Sequence, residues 1–209
     1  MRLPASGSGG AAGASSSPLL VVVRADSGDG VPRRLLRAYF SLRSLDDGKS
    51  WSSPKPMVAT DGSPMGSARP RLLMLGSKGR LGPLVLTGGR PGLYLWVNPA
   101  GDGIAWDRIN LAAAHNAALN SSSASLRFCD AFVNASLETQ DLRQGICTLS
   151  MSYNSLVQVA DCEAMVVYSR AGKTFAPPLE ACGAKTSAIF ALRLAASIGA
   201  GCSPHTRPL

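Results

Sequence analysis

Ser44-Leu45-Asp46-Asp47-Gly48-Lys49-Ser50-Trp51 packs a turn signal, two small hydroxyl side chains and a large aromatic anchor into eight residues. Asp47-Gly48 supplies the positive φ that a tight turn needs, and the flanking runs Leu36 to Leu42 and Met57 to Val58 are apolar enough to be strands. The stretch therefore reads as a hairpin tip. Asp46 is expected to face inward and accept backbone N–H groups across the turn, with Ser44 and Ser50 adding local hydrogen bonds. Trp51 is expected to bury its ring beneath the tip.

Upstream, Leu19-Leu20-Val21-Val22-Val23 is a β-branched run ended by Asp26-Ser27-Gly28-Asp29-Gly30, a strand followed by a turn. Leu35 to Leu42 leads into the hairpin tip, and Ser52 to Met65, with Pro54, Pro56, Gly62 and Pro64, is expected to be a loop. Downstream, Arg69 to Leu75, Pro83 to Arg90 and Leu93 to Val97 are strand-length runs separated by Gly-rich turns. Ile109 to Leu119 has helical composition. Residues 120 to 145 are Ser-rich and carry no clear period, after which strand signals resume at Ile146 to Tyr153, Leu156 to Val159, Ala164 to Tyr168 and Ser187 to Ala195. Residues 1–17 read as a disordered Ser/Gly/Ala-rich leader and 198–209 as a tail.

The full pattern Ser-x-Asp-x-Gly-x-Ser-Trp resembles the Asp box, or BNR repeat, of sialidases (neuraminidases) and related β-propellers, whose seventh residue is usually Thr where this chain has Ser50. Two echoes keep the same offsets: Gly103 three before Trp106, and Gly172 with Thr174 before Phe175. Both lack the Ser and the Asp. The resemblance implies an all-β fold, a sialidase-type propeller covering residues 18–197 with about four blades, where the family has six. The family's opening Arg-Ile-Pro motif is absent. That implies missing blades on the N-terminal side, as in a fragment or truncated gene model, and self-association through the open sheet edges.

The resemblance extends to site residues. Ser67-Ala68-Arg69-Pro70-Arg71, two strands and Gly89-Arg90-Pro91-Gly92 run in the family's order, so Arg90 stands where a carboxylate-binding arginine stands, and Arg71 is a further substrate-binding candidate. Arg127 or Arg143 would supply the third arginine. Tyr153-Asn154-Ser155-Leu156 followed by Val166-Val167-Tyr168-Ser169 looks like the pair of elements that carries the nucleophilic Tyr, which makes Tyr153 the catalytic candidate, with Asp26 as acid/base. His115 and Asn116 are expected to contact ligand. An arginine cluster that holds a sugar carboxylate would repel an anionic nucleophile, so a neutral Tyr activated by a Glu fits this chemistry better than a second carboxylate. Yet Arg69 or its neighbours occupy the activator's place, and Ser169 stands where a Glu usually follows the Tyr. The remaining glutamates considered for the base, Glu138, Glu163 and Glu180, are not in the expected place.

Composition bounds these readings. With 45% hydrophobic residues in 209 the chain can bury a core. Leu19 to Val23 is far too short to span a membrane. The net charge is +8, and Arg outnumbers Lys, a skew that suits planar, two-pronged recognition of anions or reflects codon usage. The only tight basic cluster is Arg33, Arg34 and Arg37, with no interleaved aromatic residues, which argues against nucleic acid. Five cysteines without a C-x-x-C, and only His115 and His205 beside them, argue against zinc; the odd count leaves a free thiol beside one or two disulfides. No cofactor is implied. The sequons at Asn120 and Asn134 favour a secreted or lumenal setting, although residues 1–17 contain no signal peptide. Three functions follow: a glycoside hydrolase acting on terminal sialic acid, a non-catalytic binder of acidic glycans, and a structural propeller fragment.

Overall fold

The computed structural model describes residues 1–3, 17–24, 38–66, 68–77, 80–89, 92–119, 121–134, 154–170 and 188–196. Their strands form three antiparallel sheets, none of them closed. In the first, β1 (Leu19–Val23), β2 (Phe40–Ser44) and β3 (Lys55–Pro56) lie in sequence order, with Val21 opposite Leu42 and Phe40 opposite Pro56. Met1–Leu3 adds to the free side of β1: the Leu3 N–H donates to Pro18 O and the Leu20 N–H to Met1 O, both at 2.7 Å. Leu3 is buried. The expected leader thus begins as part of the sheet, and the expected loop 52–65 holds β3 and a bridge between Val58 and Pro64.

The second sheet is a four-stranded meander of β4 (Arg71–Ser77), β5 (Arg80–Gly89), β6 (Leu93–Asn98) and β7 (Asp107–Asn110). β7 carried no sequence signal, because three of its four residues are exposed at a sheet edge and show no apolar alternation. Asn110 then caps α1 (Leu111–Ala118), its side chain accepting from the Ala113 N–H at 2.9 Å. A 3-10 segment (Ser121–Leu126) and the short α2 (Asp130–Val133) follow. The third sheet is the meander β8 (Asn154–Ala160), β9 (Glu163–Arg170) and β10 (Ala188–Ala195).

The second sheet is the middle layer. Successive side chains of a strand point to opposite faces, and in β5 and β6 both faces are apolar. Leu84, Leu86, Tyr94 and Trp96 join Leu20, Tyr39 and Met57 of the first sheet's side. Val85, Leu93 and Leu95 join Ala164, Val166 and Tyr168 of the third sheet, together with Leu111, Phe128 and Phe132. This explains why β5 and β6 read as continuous apolar runs rather than alternating ones.

The turn after β2 has the expected local bonds of Ser44, Asp46 and Ser50. Ser44 Oγ donates to Asp46 Oδ1 and accepts the Gly48 N–H, each at 2.8 Å. Asp46 accepts the Ser50 N–H at 2.9 Å and the Ser50 hydroxyl at 2.6 Å. These donors, the Ser50 hydroxyl first, lower the Asp46 pKa to about 2. Asp47 and Gly48 take φ of 59° and 89°. Trp51 does not bury its ring: it is 42% exposed, held by a bond from Nε1 to Gly48 O at 3.1 Å. It shares the outer face of the first sheet with Leu19, while Leu20 faces the second sheet.

The turn between β6 and β7 repeats the device with other residues. Trp106 Nε1 donates to Gly103 O at 3.2 Å, and Gly103 has φ of 70°. Asn98 Oδ1 accepts the Gly103 N–H at 2.8 Å, as Ser44 Oγ accepts that of Gly48. Asp102 accepts from Asn98 Nδ2 at 2.9 Å and from the Ile104 N–H at 2.8 Å. The missing Ser and Asp are thus replaced by Asn98 and Asp102. Asn98 stands five residues before the glycine where Ser44 stands four, which hides the match from a fixed-offset reading. The third echo, Gly172 to Phe175, lies outside the described residues.

Candidate functional site

β4 and β8, the first strands of their sheets, begin on the same side of the molecule, and a cleft of about 260 Å³ opens there. Arg69 and Arg71 line it from the start of β4. Asn154, Ser155 and Tyr168 line it from the third sheet, where Asn154 is paired with Tyr168. Both arginines are exposed. Among the described residues Arg71 has no ion-pair or hydrogen-bond partner, so its planar fork is available to an anion. Asn154 is only 6% exposed, and neither its Oδ1 nor its Nδ2 has a hydrogen-bond partner. A buried amide without partners is costly, and a site that takes a polar ligand accounts for it, given a side-chain turn that brings the amide to the cleft.

Behind this cleft lies a polar core around His115. The His115 ring is 4% exposed; Nε2 bonds Leu126 O at 3.1 Å, so it carries the proton, and Nδ1 accepts from the Tyr168 hydroxyl at 2.9 Å. Burial lowers the His115 pKa and raises that of Tyr168, so both are neutral at pH 7. His115 also meets Phe128 and Phe190 edge-on. It is a satisfied core residue and not the expected ligand contact. Asn116 is likewise spent on backbone: its Oδ1 accepts the Phe128 N–H and its Nδ2 donates to Phe128 O, both at 2.8 Å.

Of the expected arginines, Arg71 lines the cleft. Arg127 does not: its Nη2 donates to Leu119 O at 3.1 Å and its own carbonyl accepts from Arg170 Nε at 2.9 Å. Arg90 and Arg143, and the catalytic candidates Tyr153 and Asp26, lie outside the described residues, although Tyr153 immediately precedes Asn154 in the chain. Glu163 is excluded as a base for this cleft. It faces Ala160 and Ala195 at the opposite end of β9 and is bonded by Arg193 Nε at 2.8 Å. Sequence reasoning gave no role to Asn154 or to the buried Arg170. An Asn and an Arg bounding otherwise apolar strands were the available signals.

A second, larger cleft of about 550 Å³ lies between the loop at Asp61 and β7. Its charges are paired internally. Arg108 bonds Asp61 at 2.8 Å and lies 5.2 Å over the Tyr94 ring, while hydrogen bonds from Ser63 lower the Asp61 pKa. With its cation already matched, this cleft is the poorer anion site despite its size.

Cys129 and Cys162 are both disulfide-bonded, and no cysteine among the described residues is free. No helix among those residues is long and apolar enough to cross a membrane. The described residues are β-rich, with three antiparallel sheets and a cationic cleft where two of them begin. Comparison with protein-family models, with curated proteins and with solved structures finds no match.

Proposed function

We propose that the chain is part of a sialidase-like β-propeller that binds a terminal acidic sugar, sialic acid, and hydrolyses it slowly or not at all. The observation that carries this reading is the cleft in which Arg69 and Arg71 stand beside the unpartnered amide of Asn154. The guanidinium fork of Arg71 suits a sugar carboxylate, with the positive charge of Arg69 beside it, and an amide donor and acceptor suit the hydroxyl and acylamino groups around a pyranose ring. The repeated Asp-box bonds at Trp51 and Trp106 support the propeller class. Fold alone does not specify chemistry, so the functional weight rests on the cleft.

Binding and cleavage need different residues. Carboxylate recognition requires the arginines, whereas turnover also requires a carboxylate beside a nucleophile, and the described residues that line the cleft include no Asp or Glu. A hydrolase reading keeps one support, the position of Tyr153 next to Asn154 in the chain.

Calorimetric titration with sialic acid and its 2,3-dehydro analogue tests the reading. Weak binding is expected, reduced about tenfold or more by Arg71→Ala because a charge-assisted hydrogen bond is lost. Hydrolysis of a fluorogenic sialoside is expected to be absent or very slow. Robust turnover lost in Tyr153→Phe would establish a working hydrolase, and absence of any binding would leave only the structural role.

A further inference from the structure

Five asparagines lie among the described residues, and four of them have amides that are bonded or buried. Asn98 bonds Asp102, Ala105 and Gly103, Asn110 bonds Val133 and Ala113, and Asn116 bonds both backbone groups of Phe128. Asn154 is buried. Asn134 differs. It stands exposed in the turn that ends α2, its backbone N–H donating to Asp130 O at 2.9 Å, and its side chain has no hydrogen-bond partner among the described residues. It also opens the sequon Asn134-Ala135-Ser136, whose middle residue is not proline. Its place is fixed from two sides. Val133 O accepts from Asn110 Nδ2 at 2.7 Å, and Cys129, which caps the start of α2, is disulfide-bonded.

Cys129 does not stand alone in this. Cys162 immediately precedes β9, whereas Cys129 follows Arg127, whose carbonyl accepts from Arg170 at the far end of that strand. A strand of eight residues is about 26 Å long, and bridged Cα atoms stand at most ~7 Å apart, so Cys129 and Cys162 belong to two separate disulfides. Two disulfides place the chain in an oxidising compartment, the kind in which sequons of secretory proteins are glycosylated. We propose that Asn134 carries an N-linked glycan. The donor is an oligosaccharide on a polyprenyl pyrophosphate. The Asn134 amide nitrogen bonds C1 of the reducing-end N-acetylhexosamine and gives up one proton, while the C1–O bond to pyrophosphate breaks and its electron pair leaves with the phosphate. Nothing is oxidised or reduced. The fold has room for the product, because Asn134 lines the cleft of about 550 Å³ with Asp61, Ser63, Tyr94 and Arg108. Arg108 and Asp61 neutralise each other there, so polar walls without an unmatched charge suit a neutral sugar where they suit an anion poorly.

The test is mass spectrometry of the chain purified from the cells that make it, before and after peptide-N-glycosidase treatment in heavy-oxygen water. The intact mass is expected to fall on treatment, and position 134 to be read as heavy-labelled aspartate. Cys129 and Cys162 are expected to resist alkylation until reduced. Expressed in the same cells, Asn134→Gln and Ser136→Ala are each expected to lose this glycan and Ser136→Thr to keep it. The unaltered chain decides the matter by itself if a variant fails to fold. A native mass equal to that of the bare polypeptide, an unmodified Asn134 in a chain glycosylated at Asn120, or Cys129 and Cys162 alkylated without reduction would each overturn the proposal. So would a glycan at Asn134 that survives Ser136→Ala.

Discussion

Trp51 and Trp106 make the same indole bond to a glycine carbonyl three residues earlier, at 3.1 and 3.2 Å, and differ in burial, 42% against 2% exposed. The bond is local and the burial is not. Removing a buried indole costs about 3–5 kcal/mol, so Trp106→Ala is expected to lower the urea midpoint steeply. Trp51→Ala is expected to cost about 1 kcal/mol, as for a partly exposed contact. Equal losses for the two would show that Trp51 is covered within a single chain.

Asp46 sits among donors from Ser50 and Ser44 that hold its pKa near about 2 against the ordinary 3.8. A carboxylate whose pKa is depressed on folding stabilises the native state above its unfolded value, and that contribution is lost as pH falls through the folded value. The turn should therefore stay intact at pH 4 and loosen toward pH 2. The Ser50 amide resonance is expected to titrate with a midpoint near about 2 and to lose this transition in Asp46→Asn. A midpoint at the ordinary carboxylate value would refute the bond network.

Gly88 has no room for a side chain, since a Cβ there would stand 1.9 Å from the Tyr39 hydroxyl oxygen. That hydroxyl donates to Ala68 O. Gly88→Ala is expected to destabilise by about 2 kcal/mol or more through overpacking. Tyr39→Phe removes the clashing oxygen at the cost of its hydrogen bond, so the double variant should lose less than the sum of the singles. Strict additivity in a thermodynamic cycle would place the Tyr39 hydroxyl elsewhere.

His115 is neutral in the fold, because burial lowers its pKa by more than the bond to Leu126 raises it, and the charge of Arg170 adds a lesser lowering. The unfolded chain then takes up the proton more readily, so stability is highest above the ordinary value of 6.5 and falls as pH drops below it. Denaturation at about pH 7.5 and about pH 5.5 should show this loss in the unaltered chain and a smaller one in His115→Gln. An equal slope in both would assign the dependence to other groups.

Much of the fold was legible because its signals are short-range. The bonds of the turn after β2 link residues within eight positions, and every partner named for Asp46 and Ser44 lies inside Ser44 to Trp51. The strands β1, β4, β5, β6, β8, β9 and β10 coincide with apolar runs, and α1 falls within Ile109 to Leu119. β7 escaped because an exposed edge strand needs no apolar alternation.

Tertiary structure decided the rest. A side chain is buried by what packs on it, and the chain segments that cover Trp106, surround His115 and meet at the cleft are distant in sequence. The residue pattern alone made Trp51 and Trp106 equivalent, and His115 a ligand contact. Packing covers one tryptophan, leaves the other at the surface and ties both imidazole nitrogens into the core. Arg71 and Asn154 share a cleft because β4 and β8 begin side by side, a juxtaposition set by sheet stacking and by no local spacing of residues.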